Sequence, residues 1–302
     1  MFVIERALSA VLVLWLAATL AFFALRVLPG DAVAAQLAQG GATAMQIDAA
    51  RTELGLNDGL PAQYGRFLAG LLRGSLGVSL ASGRPVEDMI AERLWPTIEL
   101  ALLAVALAAL GGVSLGVIGA GDGWAGRWAR LMIGVSMGVP VYWTATLAVV
   151  LFAVQLGWLP SSGVGSWRQL VLPVTVLAFH TLGAIARVVQ ISVREVRDML
   201  FVRTARGKGL PDLLVLRRHV LRVALPPAVT VIALQTGFLL GGAVIIESVF
   251  VRPGVGRLLL DSTVRQDYPV VQGIVILVAA AYVMFNTLAE AVHRLLDPRL
   301  RA

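Results

Sequence analysis

Residues Arg194–Pro226 read REVRDMLFVRTARGKGLPDLLVLRRHVLRVALP and lie between two long apolar runs. The stretch holds Arg194, Arg197, Arg203, Arg206, Lys208, Arg217, Arg218 and Arg222. It is too long for a tight turn and too short for a domain with its own core. Its pattern predicts one helix over Ser192–Lys208, with Arg194 and Asp198 as an i,i+4 pair. Gly207 and Gly209 end that helix, because glycine past a helix C-terminus accepts left-handed geometry. Pro211 suits the first turn of a second helix and Asp212 its positive end. Leu213–Val223 then runs on to Pro226-Pro227, where the next apolar run begins. The result is a helix–glycine–helix elbow with Leu200, Phe201, Leu210 and Leu213 as apolar positions. A plain basic loop anchored on anionic lipid needs neither the elbow nor those four residues.

The composition says what surrounds such an elbow. The 302 residues are 58% hydrophobic and 14% charged, and the mean hydropathy is +0.83. Soluble domains have about 45–50% apolar and about 25% charged residues, so this is an integral membrane protein. A net charge of +7 and a pI near 10.9 fit positive-inside topology and an anionic leaflet better than nucleic acid. Cysteine is absent, which excludes disulfides, thiolate metal sites and cysteine nucleophiles.

Six apolar runs are long enough to cross a bilayer core of ~30 Å. They are Ala7–Leu25, Thr97–Ala120, Leu131–Leu156, Leu170–Ser192, Ala224–Phe250 and Tyr268–Ala289. The first is longer than a signal-peptide core and has no small-x-small cleavage site at its end, so it reads as a retained span. Residues 29–96 are water-compatible and broken by glycine and proline. Amphipathic helices are expected at Ala44–Leu54 and Pro61–Leu72, the second with a stripe of Leu68, Leu71 and Leu72. Breaks are expected at Gly74, Gly77 and Gly83, then a short helix over Pro85–Leu94. The chain thus divides into a first span (1–28), an extracytoplasmic segment (29–96), a five-helix core (97–290) containing the elbow (194–226), and a tail (291–302).

Arginine asymmetry orients these spans. With cytoplasmic termini, the inner side receives Arg6, Arg127, Arg130, Arg187, the eight basic residues of the elbow, Arg294, Arg299 and Arg301. The short outer loops hold only Arg168, Arg252, Arg257 and Arg265. Both termini and the elbow are therefore expected in the cytoplasm.

Little else carries chemistry. Arg206-Gly207-Lys208-Gly209 lacks the spacing and the hydroxyl of a phosphate-binding loop, so the chain is expected to bind no ATP itself. His180 lies in the fourth span and could face Ser136, Ser161 or Ser162 as in an intramembrane serine protease. A lone histidine there is more often a helix–helix hydrogen-bonding group. His219 and His293 have no partner at metal-ligand spacing, so no metal site is expected. Glu99, Gln235, Glu247, Asn286 and Glu290 lie in or near spans, where ionisable groups commonly line a pathway. Glu247 is the sharpest case. It could couple protons in a secondary transporter, cap an outer helix end, or pair with an arginine. Gly241-Gly242 permits close helix approach or a bend where a gate flexes.

The stretch Val202-Arg203-Thr204-Ala205-Arg206-Gly207-Lys208-Gly209-Leu210, followed by Arg218-His219-Val220-Leu221-Arg222-Val223-Ala224-Leu225-Pro226, resembles the cytoplasmic coupling motif of ABC importer permeases. The likeness is to the first permease subunit, the B type, of the dipeptide/oligopeptide/nickel family. It is carried further by Leu28-Pro29-Gly30-Asp31, Leu54-Gly55-Leu56, Gln63-Tyr64 and Gly74-Ser75-Leu76-Gly77-Val78-Ser79. Glu247-Ser248-Val249-Phe250, Pro253-Gly254-Val255-Gly256-Arg257, Asp267-Tyr268-Pro269-Val270-Val271-Gln272 and Asp297-Pro298-Arg299 extend it to the tail. Arg203-Thr204-Ala205 stands where the wider superfamily has Glu-Ala-Ala, and Gly207 and Pro211 depart locally.

The resemblance implies an all-α, six-span type I ABC importer permease with a cytoplasmic coupling helix, in the bacterial inner membrane. Arg203, Thr204, Ala205, Arg206, Gly207, Lys208, Gly209 and Leu210 would seat in an ATPase subunit. Gln235, Gly241, Gly242 and Glu247 are the pathway or gate candidates. The implied partners are a second homologous permease, two ATPase subunits that carry the ATP and magnesium, and an extracytoplasmic substrate-binding protein. The implied solute is a di- or oligopeptide. Wording around Ser79–Val86, with Trp158-Leu159-Pro160, Trp167 and Leu172-Pro173, also resembles nickel or metal-chelate permeases.

Overall fold

The computed structural model describes residues 2–27, 43–53 and 55–296. Leu28-Pro29-Gly30-Asp31, Leu54 and Asp297-Pro298-Arg299, quoted above for the resemblance, lie outside the described residues. In chain order the helices are α1 Phe2–Val27, α2 Ala44–Glu53, α3 Leu60–Leu72, α4 Val86–Gly119, α5 Trp124–Gly138 and α6 Val141–Gln155. They continue as α7 Arg168–Arg197, α8 Leu200–Gly207, α9 Asp212–Ala224, α10 Pro226–Val249, α11 Val255–Val264 and α12 Tyr268–Leu296. Among the described residues, Arg6–Arg26, Val86–Gly119, Arg168–Arg197 and Tyr268–Leu288 are each long and apolar enough to cross a membrane. Counting two bent helix pairs as one span each brings the number to 6.

Prolines account for most departures from the hydropathy reading. The expected third span is two helices, α5 and α6, bent by 104°. Pro140 lacks an N–H and pushes Val139 into extended geometry (φ −87°, ψ 134°), as the residue before proline prefers. The fifth span is preceded by α9 at a 54° bend, where Pro226-Pro227 starts α10. Pro96, by contrast, breaks nothing. The expected short helix at Pro85–Leu94 and the second span are one 34-residue helix that carries Pro96 inside it. Val251–Asp267, read as a connection, contains α11.

The chain forms two compact units, residues 1–97 with 253–283 and residues 98–252 with 284–302. In the first, Val86, Ile90, Val255, Leu258, Val270 and Ile274 make the core. Gly273 lets α4 approach closely, because a Cβ there would lie 2.7 Å from Val86 Cγ1. The helices α2 and α3 form where expected, but the inward stripe of α3 runs through Tyr64, Phe67, Leu68 and Leu71 while Leu72 is exposed. The stripe turns toward α1: the rings of Phe22 and Tyr64 meet edge-on, and Thr19 Oγ1 lies 2.7 Å from the Tyr64 hydroxyl.

In the second unit α7 is the central helix, packed against α5, α6 and α10. Its inward face repeats at helical spacing through Leu177, Ile185, Val189, Val193 and Val196, as an amphipathic core helix requires. Against it runs a glycine stripe of α4. A Cβ on Gly116 would sit 2.6 Å from Val189 Cβ and 2.7 Å from the Ala186 carbonyl oxygen. Nothing larger than glycine fits without moving the helices.

Candidate functional site: the elbow and its supports

The first arm of the elbow is not one helix from Ser192 to Lys208. It breaks at Asp198-Met199, where Met199 is extended (φ −68°, ψ 147°). The burial pattern supplies the reason. Val193 and Val196 are buried on α7, and a continuous helix would next bury residues near 200 and 203. Those are exposed, while Val202 and Ala205 are buried. The six-residue step from Val196 to Val202 is out of phase with 3.6 residues per turn, so the chain must break to bury both. Arg194 does not pair with Asp198 in the expected way; its Nη2 reaches the Gly119 carbonyl at 3.5 Å.

The turn itself follows the expectation. Gly209 has φ +78°, and its N–H donates to the Arg206 carbonyl at 2.9 Å, while that of Lys208 donates to Thr204 at 3.1 Å. A Cβ on Gly209 would meet nothing within 4 Å. The requirement for glycine there is conformational and not steric. Pro211 takes the N-cap position and Asp212 opens α9, where its carboxylate pairs with Arg206 across the turn at 3.3 Å.

The elbow has two faces. Val202, Ala205, Val215, Val220 and Ala224 belong to the core of the second unit, and Leu210 packs against it. Leu200, Phe201, Arg203, Thr204, Arg206, Gly207, Lys208, Gly209, Leu213 and Leu214 are exposed. Of the expected contact residues, Ala205 and Leu210 are thus turned toward their own chain. The outward surface is a mixed apolar and basic patch.

Three arginines converge on the end of α4, Arg194 and Arg197 from the base of the elbow and Arg130 from α5, a role that sequence reasoning gave to none of them. Arg130 Nη1 donates to the Gly119 carbonyl at 2.9 Å and to Gly121 at 2.8 Å. Arg194 shares Gly119, and Arg197 Nη1 reaches the Ala120 carbonyl at 3.3 Å. These carbonyls are the negative end of α4, where guanidinium groups satisfy orphan acceptors and oppose the helix dipole. The only trace in the sequence is arginine near the end of apolar runs, which membrane topology also produces.

The pathway candidates are spread along α10. Gln235 is half-buried and Glu247 fully buried, and the helix runs unbroken through Gly241-Gly242. Beyond its end, Val251 takes φ 52° and brings the Arg252 N–H to the Glu247 carbonyl at 2.8 Å. The Arg252 side chain is 2% exposed and pairs with Glu99 at 3.1 Å. His180 Nε2 bonds the Thr144 hydroxyl at 2.9 Å, whereas Ser136 Oγ donates to its own helix at Ile133. Among the described residues no serine hydroxyl bonds His180, which meets Ser136 only at the backbone.

In the first unit, Asp267 draws together two segments that the resemblance placed far apart. Its buried carboxylate accepts from Ser79 Oγ, from Leu80 N at 3.0 Å and from Ala81 N at 3.4 Å. The loop it holds is closed by the Val78–Pro85 bridge, with Gly77 at φ +93°.

Residues 112–302 match the family described as the binding-protein-dependent transport system inner membrane component, and residues 1–101 match the N-terminal component of such proteins. A protein of Brucella abortus (strain 2308), provisionally named a peptide transport system permease protein, is 39% identical over 311 residues, covering 99% of this chain and 98% of the relative. The glutathione transport system permease protein GsiC of Pectobacterium atrosepticum is 38% identical over 301 residues, with the same coverage. GsiC of Escherichia coli K12 is 36% identical over 304 residues, again covering 99% of this chain and 98% of the relative. Among solved structures, an inward-facing MetNI methionine ABC transporter covers 70% of this chain and 97% of its own at TM-score 0.59 and 14% identity. An amino acid ABC transporter with histidines covers 70% and 94% at TM-score 0.54 and 19% identity. At such identities these two likenesses concern the fold alone.

Proposed function

The chain belongs to the family of binding-protein-dependent transport system inner membrane components, and from that membership we propose how it works and what it carries. It is a multi-pass permease subunit of an ABC importer with the type I permease fold. The solute is a short peptide. What carries this reading is the near full-length similarity to permeases named for peptide and glutathione transport. None of the relatives reported above is named for nickel or metal-chelate transport.

The elbow is the coupling element. Leu200, Phe201, Leu213 and Leu214 enter a cleft of an ATPase subunit, flanked by Arg203, Arg206 and Lys208. Gly207 and Gly209 shape the turn, Thr204 lies on the exposed side, and Ala205 and Leu210 seat the elbow on its own core. ATP and magnesium stay on the ATPase subunits, and the chain performs no hydrolysis. Both termini lie in the cytoplasm, as does the 291–302 tail. Residues 1–28 form the first span, 29–96 face the substrate-binding protein, and 97–290 build half of the pathway with a second permease. Gln235, Gly241, Gly242 and Glu247 lie along that half. Moving a pore from 1:99 to 99:1 takes about 5.5 kcal/mol of differential interaction. The fully seated underside of the elbow lets such a load pass into α7 without being lost in a loose loop.

The test is purification of the intact complex in mild detergent, followed by calorimetry of its binding protein with di- and tripeptides and with nickel chelates. Binding of peptides alone supports the reading; binding of chelates alone overturns the substrate while leaving the permease. Gly209→Asp puts a carboxylate on the exposed basic side of the turn and is expected on that ground to abolish uptake with membrane insertion intact; normal uptake would remove the coupling role.

A further inference from the structure

We propose that the first unit holds an anionic phospholipid, with its phosphodiester bound by Arg26 in a cavity at the membrane boundary. The cavity has a volume of about 620 Å³ and is lined by, among others, Leu25, Arg26, Gln63, Phe67, Tyr268 and Gln272. That is the size range of small-molecule sites, ~300–1,000 Å³.

Its depth in the bilayer follows from two helices. Arg26 ends the apolar segment Arg6–Arg26, and Tyr268 begins the apolar segment Tyr268–Leu288. Each segment has 21 residues, and at ~1.5 Å per residue that matches a hydrocarbon core of ~30 Å. A cavity touching the end of one segment and the start of the other therefore lies at the level of lipid headgroups.

The charge of the cavity selects the ligand. Arg26 donates from Nε to Gln63 Oε1 at 3.2 Å and from Nη1 to the Phe22 carbonyl at 3.1 Å. Its guanidinium also lies 3.6 Å from the centre of the Phe22 ring. These contacts fix the group but leave Nη2 without a partner and the charge without a carboxylate among the described residues. Arg66, on the same lining, is already paired with Asp58 at 2.7 Å. No aspartate or glutamate occurs among the described lining residues. Gln272 adds a second unmet donor: it is 6% exposed, and its Nε2 has no hydrogen-bond partner. A buried amide without a partner is destabilising unless something satisfies it.

A phosphodiester supplies the missing charge and an acceptor for Arg26 Nη2, and a rotation of the Gln272 amide brings its enclosed Nε2 to a second acceptor. Leu56, Leu60, Phe67 and Leu76 give the same cavity an apolar wall, which suits the first carbons of acyl chains and is wasted on free phosphate. A zwitterionic lipid would bring an ammonium group for which the described lining offers no carboxylate. An anionic lipid is therefore preferred, by the same chemistry that places such headgroups in basic pockets between spans.

Native mass spectrometry of the full chain within its purified, delipidated complex, titrated with phosphatidylglycerol, tests this. One tightly retained lipid is expected. Arg26→Gln should weaken it by ~10-fold or more, the scale of one charge-assisted bond of ~1.4 kcal/mol, and Arg26→Lys by less. Gln272→Leu should also weaken binding, yet leave the melting temperature of the lipid-free protein unchanged or higher, because it removes an unsatisfied buried amide. A merely structural Gln272 would lower that temperature and leave binding alone. Equal retention by the parent and Gln272→Leu overturns the proposal even if Arg26→Gln fails to fold. Equal affinity for phosphatidylcholine, inorganic phosphate or a tripeptide overturns the choice of ligand. None of these readouts depends on transport, so the permease assignment stands or falls separately.

Discussion

The elbow at Arg194–Pro226 and the loop at Gly74–Val86 are both turn-rich polar segments beside long apolar helices, yet they are held in opposite ways. The elbow rests on apolar side chains close in sequence, Val202, Ala205, Val215 and Val220, and its base is fastened by arginines to helix-end carbonyls. The loop is closed by its own backbone bonds and pinned by one buried carboxylate, Asp267, which meets Ser79 from 188 positions away. Many weak apolar contacts let a segment carry force and shift as a body. A single buried acceptor with several donors fixes one geometry, and losing it leaves every donor unsatisfied. This difference is what the coupling role proposed for the elbow requires, and the loop has no such requirement.

The largest expected effect comes from removing the loop's anchor. Asp267→Ala strips the acceptor from Ser79, Leu80 and Ala81, and we expect about 2–4 kcal/mol of lost stability, read as a fall in melting temperature in detergent. A loss below ~0.5 kcal/mol would mean that other contacts hold the loop and would erase the contrast. Next is the elbow's turn. Gly209→Val forces a β-branched residue into φ +78°, a strain of about 1–3 kcal/mol, whereas Gly209→Asn tolerates left-handed geometry. Uptake should collapse in the first and largely survive in the second. Equal loss in both would point to contact at Gly209 and away from its backbone geometry.

Arg194→Gln combined with Arg197→Gln frees the elbow's base from the end of α4. Helix-end charges contribute about 0.3–1 kcal/mol each, so folding should survive while transport per ATP hydrolysed falls severalfold in reconstituted vesicles. An unchanged ratio would show that α4 takes no part in transmission. The smallest effect is Arg206→Gln. Its partner Asp212 is 89% exposed, and exposed pairs contribute about 0–1 kcal/mol, so melting temperature and uptake should both stay near the parent values.

How far each region was legible follows from the same contrast. Gly209 as the left-handed turn, Asp212 at the start of a helix, and the two amphipathic helices α2 and α3 depend on neighbours a few positions away, and all stand where their residues predict. The break at Asp198-Met199 was not visible, because it arises from which face must be buried, and that is set by the core beneath. Hydropathy ran straight through Pro140 and split the chain at Pro96, where the structure does the reverse. A proline's effect depends on whether surrounding helices replace the lost hydrogen bond.

From sequence alone, this protein's membrane character, its family, the elbow and its glycine turn were already determined, since all rest on composition, local order and motif. Only tertiary structure decided that Ala205 and Leu210 face inward, that three arginines converge on Gly119–Gly121, and that Arg26 lines a cavity with no acid among its described lining residues. The physical reason is distance along the chain. Burial and pairing between residues tens to hundreds of positions apart leave no period or spacing to read, and exist only once the helices have packed.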